Sequence, residues 1–378
     1  VAAVYIRLQC DSSNMQAGAI VYSMSAIIIS DYFSAFNGVK QGGVISPVLF
    51  CIYIDDLLHS LSLSGFGCFI GSAFTGALAY ADDIVLICPS PYAMRRLLSL
   101  CDSFAAKFDI KFNANKSKFL VIIPKCLRSV YKNVESCLFS IGGQQLECVD
   151  SYCHLGHIIS SSFDDSDDIL NRRNHFIGQA NSLFCFFNKM DLLVKIKLFK
   201  SYCSSIYGCE LWSLVSHNVD SFCCAWRTAL RRLLSLPFNA HSFLLPFLTD
   251  SLPIMSELCK RSVRFIVTCL CSNSRLVQFV ARHGVLFCKF NSIIGSNLLF
   301  CCKLFNWSFD DCISGSIDLS FDYFSRFYVN NLSDTELCSI FSLVELISLR
   351  EGYFGFDDFN FSFARKDVKL FIDYFSTL

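Results

Sequence analysis

The sequence lacks an apolar run long enough to cross a membrane. A spanning helix needs roughly 18 or more consecutive apolar residues, and the best candidate, residues 17–29, is shorter and contains Ser23 and Ser25. No secretory signal pattern is present. We therefore expect no membrane association, although 53% of the residues are hydrophobic and the mean hydropathy is +0.46. The chain begins with Val1 rather than Met, and we expect it to be a fragment of a longer protein.

A zinc motif is also lacking, despite 22 cysteines in 378 residues. No pair of C-x₂-C units with histidine partners occurs, which argues against a structural zinc site. A chain of this length can bury a large core and does not need disulfides. Cysteines such as Cys51, Cys88, Cys101 and Cys203 lie within apolar stretches. The pattern predicts that most of the cysteines are buried thiols in a reducing compartment. We expect an intracellular location, in the cytoplasm and nucleus.

The chain has no net charge, so its total charge does not indicate a nucleic-acid-binding protein. The charges are nevertheless separated along the sequence. Residues 170–265 contain twelve Lys and Arg against five acids, and residues 304–378 contain twelve acids against five bases. The basic segment is suited to following a phosphate backbone. Ordinary solvated helix surfaces explain the same charges equally well.

Two adjacent carboxylates, Asp82 and Asp83, stand between apolar stretches rich in β-forming residues. The pattern over residues 77–88 predicts an antiparallel hairpin with both acids at its tip. Carboxylate oxygens are the ligands that hard divalent cations prefer. Five other Asp-Asp pairs occur in the chain. Asp55-Asp56 is the nearest; it follows apolar residues on a predicted helix, and we interpret it as a solvated turn.

A glycine-rich loop precedes a predicted helix at residues 37–47. Gly38 and Gly42 permit close approach of a ligand to the backbone, and Lys40 offers a positive charge for phosphate. Ser46 and Pro47 fit the N-cap and the first position of a helix that continues to about Leu63.

The remaining pattern is coarse. Residues 20–29 and 65–71 read as strands, 89–108 as a helix, 119–123 as a strand and 145–160 as a hairpin. The acidic segment 162–168 marks a predicted boundary. Helical patterns follow to about Ser235, and mixed helical patterns without a motif follow Pro237.

The order of these motifs resembles reverse transcriptases, most closely the non-LTR (LINE-type) retrotransposon branch. The glycine loop with Ser46-Pro47, the Asp82-Asp83 hairpin, Asn113 with Lys116, and Leu155-Gly156 follow one another as in that family. Later, Tyr207-Gly208, Leu211-Trp212 and residues 226–237 resemble the helical region after the polymerase core. The resemblance covers residues 28 to about 253.

The resemblance implies a role for each matched residue. Asp82 is implied to be a catalytic ligand of Mg²⁺ or Mn²⁺, with Asp83 as its neighbour, in a two-metal nucleotidyl transfer. Lys116 is implied to donate a proton to the leaving pyrophosphate. Template, primer and nucleotide contacts are implied for ten residues: Gly38, Lys40, Gln41, Gly42, Ser46, Pro47, Tyr80, Ala81, Leu155 and Gly156. The implied partners are an RNA template, a DNA primer and deoxynucleoside triphosphates.

One departure from the family pattern concerns another catalytic Asp, expected within a D-x-x-x-A-F-D motif several dozen residues before the glycine loop. Residues 31–36 match most of that motif, but Asn37 stands at its final position and only a short stretch separates Asp31 from Gly38. Asp11 lies in no such pattern. We therefore expect this carboxylate to be missing from the chain.

The resemblance implies an α+β fold, a truncated right-hand palm with an antiparallel sheet and helices, followed by a helical thumb and a mainly helical C-terminal region. We predict partial fingers and palm over 1–160, a basic thumb-like region over 161–253 and an acidic region of unknown role over 254–378. The leading function is RNA-directed DNA synthesis. Two alternatives are a catalytically dead retrotransposon remnant that binds nucleic acid, and an ordinary cytosolic protein with vestigial motifs.

Overall fold

The computed structural model describes residues 2–9, 21–23, 26–28, 44–108, 110–123, 138–333 and 335–336. The chain divides into two compact units, residues 1–164 and 165–378. The first unit mixes strands with helices, and the described part of the second is helical. The α+β class expected from the sequence is thereby confirmed at this level of description.

The described helices of the first unit are α1 (Ser46–Leu63) and α2 (Pro91–Phe108). Its described strands are β1 (Ala2–Gln9), β2 (Val21–Ser23), β3 (Ala26–Ile28), β4 (Phe69–Ile70), β5 (Ala73–Phe74), β6 (Ala77–Tyr80), β7 (Asp83–Cys88), β8 (Lys111–Phe112), β9 (Lys118–Val121), β10 (Ser140–Ile141), β11 (Gln144–Gln145), β12 (Glu147–Cys148), β13 (Ser151–His154) and β14 (His157–Ser160).

The central sheet has the strand order β12-β9-β1-β7-β6, and β8 pairs with the end of β1. Strand β1 runs antiparallel to both β7 and β9. Side chains alternate between the two faces of a strand, and β7 shows this clearly. Ile84 and Leu86 pack with the helices α1 and α2, whereas Val85 packs with Leu120 in a second cluster.

The helices cover one face of this sheet because their apolar residues recur at helical spacing. In α2 the buried residues include Met94, Leu97, Cys101 and Phe104, which confirms the predicted helix. Helix α1 confirms the prediction that began at Ser46-Pro47. Its N-cap position is occupied by Ile45, one residue earlier than we predicted, and no side chain caps it.

Three other expectations for the first unit need correction. Asp55 and Asp56 are exposed on helix α1 rather than in a turn. The thiol of Cys51 is exposed on the same helix, because the apolar residues of α1 extend around more than its core-facing side. In place of single strands over residues 20–29 and 65–71, the short hairpins β2–β3 and β4–β5 are formed.

The second unit is built on helices around one hydrophobic cluster, which extends from Ile169 to Phe324. Its described helices are α3 (Ser166–Phe186), α4 (Leu192–Cys203), α5 (His217–Leu233), α6 (Leu244–Thr249), α7 (Ile254–Leu270), α8 (Arg275–Arg282), α9 (Ile293–Phe305), α10 (Phe309–Ser314) and α11 (Phe321–Asn330). The core joins residues on both sides of Pro253, and the functional division that we placed there stays a prediction.

Among the described residues, no single helix has the length and apolar content of a membrane span. The segments Arg275–Asn291 and Ile293–Phe305 meet that test only as a pair, bent at 74°. Within the second segment, Leu298 and Cys301 are fully buried in the core of the second unit.

Candidate active site

The two adjacent carboxylates lie at the tip of the hairpin formed by β6 and β7, as predicted. Tyr80 pairs with Asp83, so the connecting loop consists of Ala81 and Asp82 alone. Ala81 has φ of 51°, a conformation that is uncommon for a residue with a Cβ. Such strain persists where the surrounding structure enforces it, often at functional sites. Both carboxylates are half-buried, and the Tyr80 side chain is 65% exposed beside them.

Strand β1 brings its C-terminal end to the level of this tip. The backbone of Arg7 lies opposite Asp83, and that of Ala2 lies opposite Cys88 at the far end of β7. The chain therefore leaves β1 at the end of the sheet where the carboxylates are. Beyond Arg7, Gln9 pairs with Lys111 of β8.

Lys116 lies in the turn between β8 and β9, on the other side of β1. Asn113 organises that turn: its side-chain oxygen accepts from the backbone N–H of Lys116 at 3.1 Å, and its carbonyl accepts from the Ser117 hydroxyl at 2.7 Å. Strand β9 then pairs Lys118 with Tyr5. The turn is one strand removed from β7, so its backbone lies about two strand spacings, roughly 10 Å, from Asp83. The side chain of Lys116 is exposed.

The hairpin β13–β14 carries Leu155-Gly156 at its tip. His154 pairs with His157 across the tip, and both loop residues have positive φ, 48° and 79°. Positive φ at both positions is typical of a type I′ turn, whose twist suits a two-residue hairpin.

This hairpin packs on the face of the central sheet that is opposite to helices α1 and α2. Tyr152 and Ile159 pack against the cluster of Val85 and Leu120. Asp83 and Val85 are two residues apart on β7, so the side chain of Asp83 is on the same face of the sheet as that of Val85. His154 lies within electrostatic range of Asp83. Burial lowers the pKa of its imidazole, and the negative charge of Asp83 partly offsets that shift.

The remaining predicted site residues belong to the glycine-rich loop and to the start of helix α1. Gly38, Lys40, Gln41 and Gly42 lie outside the described residues. Ser46 and Pro47 begin helix α1, whose residues Ile54 and Leu57 share a core with Ile84 and Leu86 of the carboxylate hairpin. The predicted neighbourhood of helix and hairpin is therefore confirmed.

Asp82 and Asp83 supply carboxylate oxygens at the hairpin tip, the kind of ligand that a hard divalent cation prefers. Two carboxylates are few for such a site. Within the described ranges, no three His, Cys, Asp or Glu side chains come together as a metal site. Asp11 and Asp31 lie outside those ranges.

One polar cluster of the second unit was not predicted from the sequence. Asp168, which we assigned to an acidic boundary, is fully buried on α3 and accepts from Trp212 Nε1 at 2.8 Å. Asn297, also buried, donates to the Trp212 carbonyl at 2.8 Å and accepts from Leu214 N at 2.9 Å. Asp168 and buried Phe176 are eight residues apart, two steps of i, i+4, which places them on the same helix face; that spacing was the available signal.

The basic segment 170–265 is partly used inside the second unit. Lys200 is bonded to both the carbonyl and the carboxylate of Asp250. Arg261 is paired with Glu257 at 2.8 Å and donates to the Ser204 carbonyl at 2.9 Å. Arg231 donates to the Ala240 carbonyl at 2.9 Å. These bases stabilise helix ends and loops, so fewer cations remain for an external phosphate backbone than the sequence count indicates.

The sequence model of the reverse transcriptase (RNA-dependent DNA polymerase) family matches residues 8–159. Those residues contain the carboxylate hairpin, the Lys116 turn and the β13–β14 hairpin.

Three relatives are similar to the chain. The Pol polyprotein of the type-2 retrotransposable element R2DM of Drosophila melanogaster is 34% identical over 130 residues, 34% of this chain and 12% of the relative. The RNA-directed DNA polymerase from mobile element jockey of Drosophila funebris is 25% identical over 189 residues, 45% of this chain and 19% of the relative. The Pol polyprotein of the type-1 element R2 of Nasonia vitripennis is 28% identical over 128 residues, 33% of this chain and 12% of the relative. The chain thus spans less than a fifth of each relative.

Proposed function

Residues 8–159 belong to the reverse transcriptase family of non-LTR retrotransposons, and on that premise we propose that the first unit is the palm of an RNA-directed DNA polymerase. The observation that carries the proposal is the arrangement at one end of the central sheet. The carboxylate turn, the end of β1 and the Lys116 turn lie side by side there. The β13–β14 hairpin lies on the same face as Asp83.

We assign a task to each of these groups. Asp82 and Asp83 hold a divalent cation, Mg²⁺ or Mn²⁺, with their carboxylate oxygens. When bound, the cation supplies charge stabilisation for in-line displacement at a nucleoside triphosphate. Lys116 donates a proton to the leaving pyrophosphate. Asn113 positions Lys116, because its side-chain oxygen holds the backbone of the turn.

The exposed ring of Tyr80, next to the carboxylates in sequence, and the tip at Leu155-Gly156, next to His154, are assigned to the primer end. A half-exposed leucine, at 41%, with a glycine at a tight turn gives a flat apolar surface on which a sugar can rest. Gln41, Gly42, Ser46 and Pro47 are assigned to the template and nucleotide side. The proposed partners are an RNA template, a DNA primer and deoxynucleoside triphosphates.

The proposal includes the expectation that the chain by itself is a poor catalyst. Two-metal chemistry needs carboxylates on both sides of the ion pair, and Asp82 and Asp83 come from one turn. No residue of the chain matches the family's other catalytic Asp in both pattern and spacing. Residues 1–378 should bind Mg²⁺ weakly and extend primers negligibly. A longer chain that carries the additional Asp upstream should extend them.

The test is primer extension on an RNA template with residues 1–378 and with the longer chain. In the longer chain, Asp82→Asn should lower the rate by more than about 100-fold, because even outer-shell partners of a metal site are worth 10–100-fold. Asp56→Asn is the matched control, an exposed carboxylate on α1 that should leave the rate unchanged.

Each outcome is informative. If the longer chain folds and does not extend primers, the polymerase assignment is wrong. If residues 1–378 alone incorporate nucleotides in an Asp82-dependent way, the expectation of a missing carboxylate is wrong, and Asp11 and Asp31 are the next residues to change.

A second candidate function, nucleic-acid binding without catalysis, is favoured by the basic segment of the second unit, which we propose as a thumb on the primer–template. Affinity should then fall with rising salt. The charges to change are Lys189 and Lys197, which are exposed. Arg231 and Arg232 are less suitable, because they bond to Ala240 and Asn181 within the fold. Lys189→Gln with Lys197→Gln should reduce the salt slope by roughly 1.8 for a duplex. An unchanged slope would assign these lysines to ordinary solvated surface.

A further inference from the structure

A ladder of rings runs along one face of the helical segment that follows α7, outside the matched residues 8–159. Helix α8 continues directly into a π-helical turn, His283–Cys288. Phe279 stacks on His283 with centroids 6.4 Å apart, and His283 stacks on Phe287 at 5.4 Å, with interplanar angles of 24° and 30°. The ladder ends in solvent: Phe287 is 78% exposed and nearby Phe290 is 80% exposed. A π-helical turn inside a helix is frequently found at functional sites.

The charged residues of the sequence stretch that contains this ladder are of one sign. Between Glu257 and Asp310 the sequence contains no acidic residue. The same stretch contains seven bases: Lys260, Arg261, Arg264, Arg275, Arg282, Lys289 and Lys303. Arg275 and Arg282 are exposed and stand at i−4 and i+3 from Phe279, so they share its helix face.

The backbone at the end of the ladder is held in a strained shape. Lys289 has φ of 32°, which is unfavourable for a residue with a Cβ. The Ser292 hydroxyl donates to the Gly284 carbonyl at 2.6 Å and accepts from Gly295 N at 3.0 Å. A Cβ on Gly295 would meet the Lys289 carbonyl oxygen at 2.3 Å, so only glycine fits this contact. The loop is therefore fixed from several sides while its phenylalanine, Phe290, stays in solvent.

We infer that this surface binds single-stranded nucleic acid. The aromatic–basic face, as we name it, consists of Arg275, Phe279, Arg282, His283, Phe287 and Phe290. Exposed rings bind unpaired bases by stacking, which tolerates any base sequence because every base has a π face, and neighbouring cations follow the phosphates. A duplex hides the faces of its bases, so the aromatic–basic face should prefer single strands.

Other occupants are less well matched. A membrane-binding helix presents a continuous apolar surface to lipid, whereas here Arg275 and Arg282 stand on the same face as the rings. A protein partner needs acidic groups to match the bases but has no need of a run of stacked rings. The test below includes an outcome for the membrane.

The experiment measures binding of residues 1–378 to a labelled oligothymidylate of twenty nucleotides by fluorescence anisotropy at several salt concentrations. Phe287→Ala with Phe290→Ala should weaken binding about tenfold or more, since base–aromatic stacking is worth that factor per base. Phe238→Ala is the matched control, because Phe238 is 91% exposed and is not one of the six residues of this face. Exposed side chains contribute little to stability, so the melting temperature should not change.

A second variant keeps the rings and removes charge. Arg275→Ala with Arg282→Ala should lower the salt slope by about 1.4, the value for two phosphate contacts on a single strand. The Phe287 and Phe290 variant should instead leave the slope unchanged.

Several results would overturn the inference: unaltered oligonucleotide affinity in the double phenylalanine variant, an equal loss in Phe238→Ala, or a preference for duplex. Loss of binding to phosphatidylserine-containing vesicles with oligonucleotide affinity retained would assign the surface to a membrane instead. Oligonucleotide binding involves no catalytic step and primer extension is measured separately, so failure of the polymerase proposal is distinguishable from failure of this one.

Discussion

The hydrogen bond from Trp212 Nε1 to Asp168 makes a sharp prediction about the stability of the second unit. The bond measures 2.8 Å and joins two fully buried side chains. Trp212→Phe keeps an aromatic ring but removes the donor. The Asp168 carboxylate then loses a partner in a place that water does not reach.

The chain contains its own control for the change in ring size. Trp226 is also buried, at 7% exposure, and lies in the same aromatic cluster: Phe222 contacts Trp212 at 5.2 Å and Trp226 at 6.4 Å. Among the described residues, Trp226 Nε1 has no hydrogen-bond partner. Trp226→Phe therefore removes a similar volume without removing a hydrogen bond.

The difference between the two variants isolates the hydrogen bond. Hydrogen bonds to charged groups contribute about 1.5–3 kcal/mol. Trp212→Phe should lower the free energy of unfolding by roughly that much more than Trp226→Phe does. For a unit of this size the corresponding difference in melting temperature is about 3–12 °C.

The assay is urea unfolding followed by circular dichroism at 222 nm, since the described part of the second unit is helical. The remaining tryptophans provide a second probe, because Trp212, Trp226 and Trp307 all lie in that unit. Coincident transitions from the two probes are required before free energies are compared. Equal losses in the two variants, or a larger loss in Trp226→Phe, would refute the reasoning.

Three further predictions concern titration and reactivity. Asp83→Asn should lower the pKa of His154 further, because the carboxylate raises it, and a rise seen by NMR would contradict the assigned proximity. Burial favours neutral His154, so its contribution to stability is complete above the unfolded pKa of about 6.5 and is lost as the pH falls through the folded value; His154→Gln should flatten that part of the unfolding profile. Burial raises the pKa of Cys88 to about 12 and that of Cys203 to about 11, so both should resist a thiol reagent in the folded protein while the exposed cysteines react. Among the described residues, the exposed thiols are Cys51, Cys148, Cys153, Cys185, Cys224 and Cys271.

The sequence by itself determined the elements whose cause is local. The β6–β7 hairpin follows from apolar, β-forming stretches on both sides of a polar pair, and α2 follows from apolar residues repeated every three to four positions. The Leu155-Gly156 turn follows from a glycine where a positive φ is needed. The motif order that identifies residues 8–159 as a reverse transcriptase domain is likewise a property of the sequence.

Only the tertiary structure decided which of these elements meet. Strand β1 carries no motif, yet it joins the strand that begins at Asp83 to the strand that follows Lys116, because it pairs with both. His154, on another hairpin, lies within electrostatic range of Asp83. Asp168 looked like a solvated acid and is buried because Trp212, 44 residues away, supplies its donor. Periodicity and turn chemistry act within about ten residues, whereas burial of a polar group depends on partners that the fold brings from elsewhere in the chain.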